Sequence, residues 1–330
     1  MKRWAILAAI VGLAGATVVV ALVGWPAIVQ SLARIGWRGL AVLIAYAALP
    51  FSLLGLAWSS LDPPWRPRRW LTFIAARMAR DASGELLPFS QVGGLVVGAR
   101  AAAIQGLAAT WATATVVVDV LNELLAQLGF TIIGVVLLIG RLAGKPGEAS
   151  EIGAAVAGLG VTAVSTSALV ILQRRGLGII TGFLARIAPG AAAAAKETAV
   201  LIEGLHRRPG RLALAVCLHL LAWASSAFGV WLALDVAGVR ISPLAVIGLE
   251  ALVLAARSAM FIAPMGIGVQ EASYAILGPL FGLSPDIAVA LSLIKRARDL
   301  IIGAPVLLIW QIFEGRRVVI RRSGLTRGGV

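Results

Sequence analysis

Seven basic residues, Arg77, Arg80, Arg100, Arg257, Lys295, Arg296 and Arg298, stand in or beside long apolar runs. Seven acids, Asp81, Glu85, Asp119, Glu123, Glu250, Glu271 and Asp299, share those runs. A charge left uncompensated at the centre of a bilayer costs roughly 2.5–3.5 kcal/mol on insertion scales. So many of them must pair or meet water. In one reading they neutralise one another and fix helix register. In the other they line a polar cavity that handles a charged headgroup. Arginine suits that task, because its planar fork holds two phosphate oxygens at once. Arg77, Arg100 and Arg257 are expected to point into one shared cavity, each near an acid, with Glu85, Glu271 or Asp299 as partner. Asp119 and Glu123 are four apart and share a helix face, and Lys295 and Asp299 have the spacing of a local pair.

Two of the apolar runs are broken. One carries Pro88 and then Gly93 and Gly94; the other carries Pro264, Gly266 and Gly268, followed by Gln270 and Glu271. Proline removes a backbone donor and bends a helix. Glycine permits turns and close helix contact. Broken helices entering from opposite faces would bring helix ends together at mid-membrane, where N-termini attract an anionic headgroup. Packing glycines and tolerated kinks explain the same residues without a site.

Other chemistry is thinly represented. His219 lies in an apolar run and reads as a hydrogen-bonded structural histidine rather than a proton relay. His206 sits in a basic link and reads as solvated. With 2 histidines and 1 cysteine, Cys217, a His-rich metal site, a cysteine zinc site and a disulfide framework are excluded. The zinc-protease helix motif, the dinucleotide glycine fingerprint and the phosphate loop are missing from the sequence. No metal and no cofactor is expected.

The elements that must position these charges follow from composition. Of 330 residues, 60% are hydrophobic and 13% charged. A soluble domain has about 45–50% and about 25%. Mean hydropathy is +0.95. A cytosolic globular enzyme, a disordered chain and a coiled coil are thereby excluded, leaving an all-α, polytopic helical membrane protein. Net charge is +14. Most of the basic residues lie between apolar runs, where they orient helices and meet anionic lipid, so nucleic acid is not an expected partner. The 10 tryptophans fall mostly near run ends and read as interfacial anchors.

About six spans are expected, over residues 4–23, 40–61, 112–139, 152–172, 212–234 and 285–313. Arg34 and Arg38 mark a link between the first two. A proline-broken, tryptophan-flanked stretch from Asp62 to Trp70 reads as an interfacial loop on the cytoplasmic side. The link 174–211 is rich in arginine and is cytoplasmic by the positive-inside rule, with its alanine-rich middle forming a surface helix. The basic tail is cytoplasmic too, so both termini face inward. Residues 71–107 and 243–282 are too charged and too broken to cross lipid alone. Each is expected as a re-entrant helical hairpin, the first from the cytoplasm and the second from outside. The order span, span, hairpin, span then occurs twice, from opposite starting sides. It gives a single membrane domain built as an inverted repeat, with halves 1–142 and 152–313 and a tail 314–330.

The run from Arg80 through Glu85, Pro88 and Gln91 to Gly93-Gly94, followed by Arg100, resembles the membrane region of lysylphosphatidylglycerol synthases. It is more closely similar to the small stand-alone proteins of that superfamily associated with hopanoid biosynthesis, the HpnL-like family. The second hairpin agrees, from Pro264 through Gly266, Gly268, Gln270 and Glu271, and then Lys295-Arg296-Ala297-Arg298-Asp299. The family pattern often has Asn where this chain has Glu85, and an acid where it has Leu95. The resemblance covers most of the chain. It implies a flippase-like membrane region, a bacterial inner-membrane location and lipid handling without lipid aminoacylation.

Three functions are consistent with these residues. The first is a lipid flippase-like transporter. Arg77, Arg80, Arg100 and Arg257 contact a headgroup, while Glu85, Glu271 and Asp299 hold those cations or couple to protons. Its partners are membrane lipids with anionic headgroups. The second is a membrane-embedded lipid-modifying enzyme using Asp119 and Glu123 as acid and base. The third is a non-catalytic partner of hopanoid or glycolipid biosynthesis enzymes, working through its basic cytoplasmic link.

Overall fold

The computed structural model describes residues 25–62, 67–86, 90–143, 153, 160, 189–259 and 268–325. The expected span 4–23, the expected span 152–172 apart from residues 153 and 160, and Pro88, Pro264 and Gly266 lie outside the described residues. The chain is an all-α helical membrane protein.

In chain order the helices are α1 (Trp25–Tyr46), α2 (Ala48–Ser59), α3 (Pro67–Leu86), α4 (Ser90–Ile104) and α5 (Ala109–Leu142). Then come α6 (Pro189–His206), α7 (Pro209–Val236), α8 (Pro243–Ala259), α9 (Val269–Phe281) and α10 (Pro285–Leu325). Among the described residues, Val29–Ser59, Ala109–Leu142 and Pro209–Val236 are long and apolar enough to cross a membrane.

Several expectations need adjustment. Arg34 and Arg38 do not lie in an open link. They sit within α1, on either side of Gly36, where the backbone leaves helical geometry (φ 55°, ψ −164°). Arg34 donates to the carbonyl of Gly238 at 3.0 Å. The alanine-rich surface helix is α6, and it is not merely laid on lipid. Ile202 and Leu205 are buried against α5 and its neighbours. The helix that holds the last expected span runs past Phe313, with α10 continuing through the basic tail to Leu325.

The apolar side chains form two cores at opposite ends of the bundle. One gathers Trp58 of α2 and Leu61 just after it, Phe73 and Ala76 of α3, Ala102 of α4, Val116 and Val118 of α5, Leu205 of α6 and Ala215 of α7. The other gathers Ile35 and Leu43 of α1, Leu138 of α5, Val230 and Leu234 of α7, Leu249 of α8, Phe281 of α9 and Leu291 and Ile294 of α10. Lipid tails are as apolar as leucine, so such cores are held by close packing rather than by exclusion from water.

The two broken segments are hairpins. α3 and α4 pack on each other, as do α8 and α9. Their arms have 20, 15, 17 and 13 residues. At 1.5 Å per residue the second arms are about 20–23 Å long, short of a hydrocarbon core of about 30 Å. The first hairpin contributes its base to the first core and the second hairpin to the other core, so they enter from opposite ends.

Candidate functional site: a charge layer between two apolar cores

Three helices run from one core to the other, and each carries ionisable residues in between. On α5, Asp119 and Glu123 follow Val118 of the first core and precede Val135 of the second. On α7, His219 lies between Ala215 and Val230. On α10, Lys295 to Asp299 lie between Ile294 and Val306. The rise of a helix puts Asp119, His219 and Lys295 each about 15 Å from the start of its own helix.

The first cluster is built on α3, α5 and α7. Arg77 donates through Nε to Asp81 Oδ2 at 2.8 Å, one turn along its own helix. Its Nη1 reaches Asp119 Oδ2 and Glu123 Oε2, both at 3.2 Å, and its Nη2 donates to Glu123 Oε1 at 2.5 Å. Arg80 donates to Asp119 Oδ2 at 2.9 Å and to Glu123 Oε2 at 2.5 Å. His219 Nε2 lies 3.0 Å from Asp119 Oδ1. Arg77 is 3% exposed, and Asp119 and His219 are 0%. The i, i+4 spacing of Asp119 and Glu123 aims both carboxylates at the two guanidiniums, as one helix face requires. These guanidiniums do not use Glu85, Glu271 or Asp299 as partners, contrary to expectation.

Gly94 makes this geometry possible. A Cβ there would lie 2.9 Å from the Arg80 carbonyl oxygen and 3.4 Å from Ser83 Oγ, so α4 can press on the turn that holds Arg80. Gly93 faces open space. The glycine pair is thus one packing residue and one unconstrained neighbour.

The second cluster is built on α8, α9 and α10. Lys295 donates to Glu250 and, at 2.6 Å, to Tyr274 Oη, while Tyr274 donates to Glu250. The expected local pair of Lys295 with Asp299 does not form. Asp299 instead accepts from its neighbour Arg298 at 2.6 Å. Lys295 is one turn back on α10 and turns toward α8, where it pairs with the buried Glu250.

The two hairpin tips are tied together. Arg257 Nη2, near the end of α8, donates to both oxygens of Glu85, near the end of α3, at 2.7 Å each. This pair is more open than the first cluster, with Arg257 24% and Glu85 35% exposed. Asp299 and Tyr274 both lie close enough to act on Arg257 electrostatically.

Gln270 and Glu271 have anchoring roles. Glu271 accepts from the Gly268 amide at 2.8 Å and so caps α9, and it accepts from Arg296 Nε at 2.9 Å. Gln270 donates to the Ser292 carbonyl at 3.1 Å. The anion that the α9 N-terminus attracts is therefore the chain's own carboxylate.

Arg100 departs from expectation. Its side chain is 57% exposed, and it pairs with Glu314 on α10, away from the layer. Its position near the base of α4 carries it to the end of the hairpin rather than to the tip. Sequence reasoning also missed Asp62. This carboxylate is 3% exposed, accepts from Arg69 at 2.7 and 2.9 Å and from Trp111 Nε1 at 2.8 Å, and pins the starts of α3 and α5 to the end of α2. Tyr274 was missed as well, because nothing in its local spacing links it to Glu250, 24 residues earlier.

The fold and the layer define a helical membrane protein with a paired, buried ionic middle. The chain belongs to the family described as the lysylphosphatidylglycerol synthase TM region, which matches residues 6–306 and so includes both hairpins. No curated protein and no solved structure matches the chain.

Proposed function

We propose that the chain is a flippase-like lipid transporter. It handles the polar head of an amphiphile, whether phospholipid, hopanoid or polyprenyl-linked, while the tails stay in lipid. One observation supports this above the rest: hairpins from opposite ends meet through Arg257 and Glu85 inside a layer of buried ion pairs. That is the arrangement an inverted repeat of residues 1–142 and 152–313 requires, with its site near mid-membrane.

In this reading the headgroup enters where the layer is most open, at Arg257, Glu85, Arg298 and Asp299. Arg257 exchanges Glu85 for a phosphate oxygen, and Glu85 is free to part from it as the tips separate. Arg77 and Arg80 hold the first hairpin in place behind that exchange. The chain carries no chemistry of bond making; it works in a bacterial inner membrane with both termini in the cytoplasm, and hopanoid or glycolipid enzymes are its candidate partners.

A second reading is favoured by a different observation. Among the described residues, Arg77, Arg80, Arg257, Lys295, Arg296 and Arg298 all have carboxylate partners. A layer so completely paired also suits a structural partner of lipid enzymes.

Reconstitution separates the two. Purified protein in vesicles of a phosphatidylglycerol and phosphatidylcholine mixture, with a headgroup-labelled lipid, should expose inner-leaflet label to an impermeant quencher. Vesicles that behave like protein-free ones reject transport of that lipid, and hopanoid or polyprenyl probes extend the test. Product formation in detergent, where no sidedness exists, would instead favour the enzyme reading.

A further inference from the structure

One set of contacts occurs twice, at opposite ends of the bundle. α1 packs on α10, and α6 packs on α5. Ser31 of α1 donates to Asp286 in the first turn of α10 at 2.5 Å. Thr110 in the first turn of α5 donates to Glu197 of α6 at 3.1 Å. Arg34, beside the break in α1 at Gly36, donates to the Gly238 carbonyl just past α7. Arg211, beside the break at Arg208, donates to the Ser60 carbonyl just past α2. Both distances are 3.0 Å.

These contacts make α5 and α10 counterparts. Adding 176 carries Thr110 to Asp286 and Glu123 to Asp299. The same step carries Pro67, the first residue of α3, to Pro243, the first of α8. The Ala-Ala-Arg that holds Arg77 recurs as Ala255-Ala256-Arg257, about one turn further along its arm and so on nearly the same face.

One pairing breaks the correspondence. In the first half the hairpin is locked to the long helix of its own half, because Arg77 and Arg80 of α3 share Glu123 of α5. In the second half Asp299 of α10 accepts from its neighbour Arg298. Arg257, the one basic residue of α8, reaches instead across to Glu85 of the other hairpin. Yet Arg257 lies close enough to Asp299 to feel its charge. Both ends of that exchange are partly open, so the guanidinium need not pass through an apolar core. Repeated halves that differ in one pairing fit a chain held in one of two arrangements, the other being reached when the second half takes up the first half's pairing.

We propose that Asp299, in its pair with Arg298, is a second seat for Arg257. In the arrangement described above, Arg257 binds Glu85 and the hairpin tips are tied. In the other, Arg257 and Arg298 share Asp299 as Arg77 and Arg80 share Glu123. The second hairpin then docks on α10, and Glu85 is released. The seat is itself an ion pair, so an acid at position 257 would find Arg298 there. This deepens the transport reading, on which its meaning for cargo rests, by giving the tips a defined place to part to.

The test reads the pairing and not lipid movement, so the switch and the transport reading can fail separately. Val96 of α4 and Ile276 of α9 are exposed on the second arms of the two hairpins. With Cys217 replaced, Val96→Cys and Ile276→Cys carry spin labels, and pulsed EPR in nanodiscs gives the distance between them. Glu85→Gln removes the first seat and should shift the distribution to a longer, equally narrow distance. Adding Asp299→Asn removes the second seat, and that narrow peak should be lost. A distance unchanged in Glu85→Gln overturns the proposal, as does a new narrow peak that survives Asp299→Asn. Should Glu85→Gln fail to fold, Glu85→Asp keeps the charge but shortens the reach. It should populate the longer distance in part, and its failure to do so is equally decisive.

Discussion

Replacing Arg77 by Gln removes the guanidinium that three carboxylates share, and its consequence can be worked from the geometry. Arg77 is 3% exposed and holds Asp81, Asp119 and Glu123 within 2.5–3.2 Å. With it gone, Arg80 alone faces three acids. Breaking a buried ion network by removing one partner typically costs about 3–5 kcal/mol. A domain has about 5–15 kcal/mol in all. Arg77→Gln should therefore lose a large fraction of its stability. The companion substitution Glu123→Gln removes the acid that takes two of Arg77's bonds and restores the charge count. The double variant Arg77→Gln/Glu123→Gln should recover most of the loss. Equilibrium unfolding in mixed micelles, on the single and double variants, gives the coupling energy directly. Refutation would take one of two forms: Arg77→Gln within about 1 kcal/mol of the parent, or a double variant less stable than either single.

Gly94→Ala drives a methyl group to 2.9 Å from the Arg80 carbonyl and should cost about 1–3 kcal/mol, whereas Gly93→Ala meets open space and should be neutral or slightly stabilising by the same unfolding measurement. Charge reversal at either hairpin tip, Glu85→Arg or Arg257→Glu, should reduce lipid movement, and the double swap should restore it, because the tips need opposite charges and not particular ones; the swap failing to rescue would show that the identities matter. Asp62→Ala strips Arg69 and the Trp111 indole of their shared acceptor and should cost about 1–3 kcal/mol, seen as a lower unfolding midpoint. After Cys217 is replaced, a single cysteine at position 190 should label only from the cytoplasmic side; labelling only from outside reverses the orientation.

Much of the layer was legible because charge in lipid is conspicuous. Arg77, Arg80, Asp119 and Glu123 stand out from their apolar runs, and the i, i+4 spacing on α5 places two carboxylates on one face from the sequence alone. The two hairpins were legible too, since proline, glycine and charge together deny residues 71–107 and 243–282 an ordinary crossing. Pairing was not legible. Arg77 meets Asp119 across 42 residues, and Lys295 meets Glu250 across 45. Local spacing favoured Lys295 with Asp299, yet helix packing turned Lys295 toward α8 and left Asp299 to Arg298. Arg100 has the same residue type as Arg77 but sits at the base of its hairpin, and depth along a helix decides which of them is buried. Glu271 read as a site residue because it follows Gly268, and the backbone there uses it as a cap.

The central claim is that the charge layer moves lipid heads and does not merely hold the helices in register. The most direct measurement compares the parent with Arg257→Gln/Glu85→Gln, which removes the pair at which the headgroup exchange is placed, in the same labelled-lipid vesicles, after both are shown to be folded. The account predicts that the parent exposes the inner-leaflet label and that the charge-balanced double variant, with its guanidinium fork removed, moves lipid at least tenfold more slowly. A folded double variant that moves lipid at the parent's rate would contradict it, since the layer would then serve architecture alone.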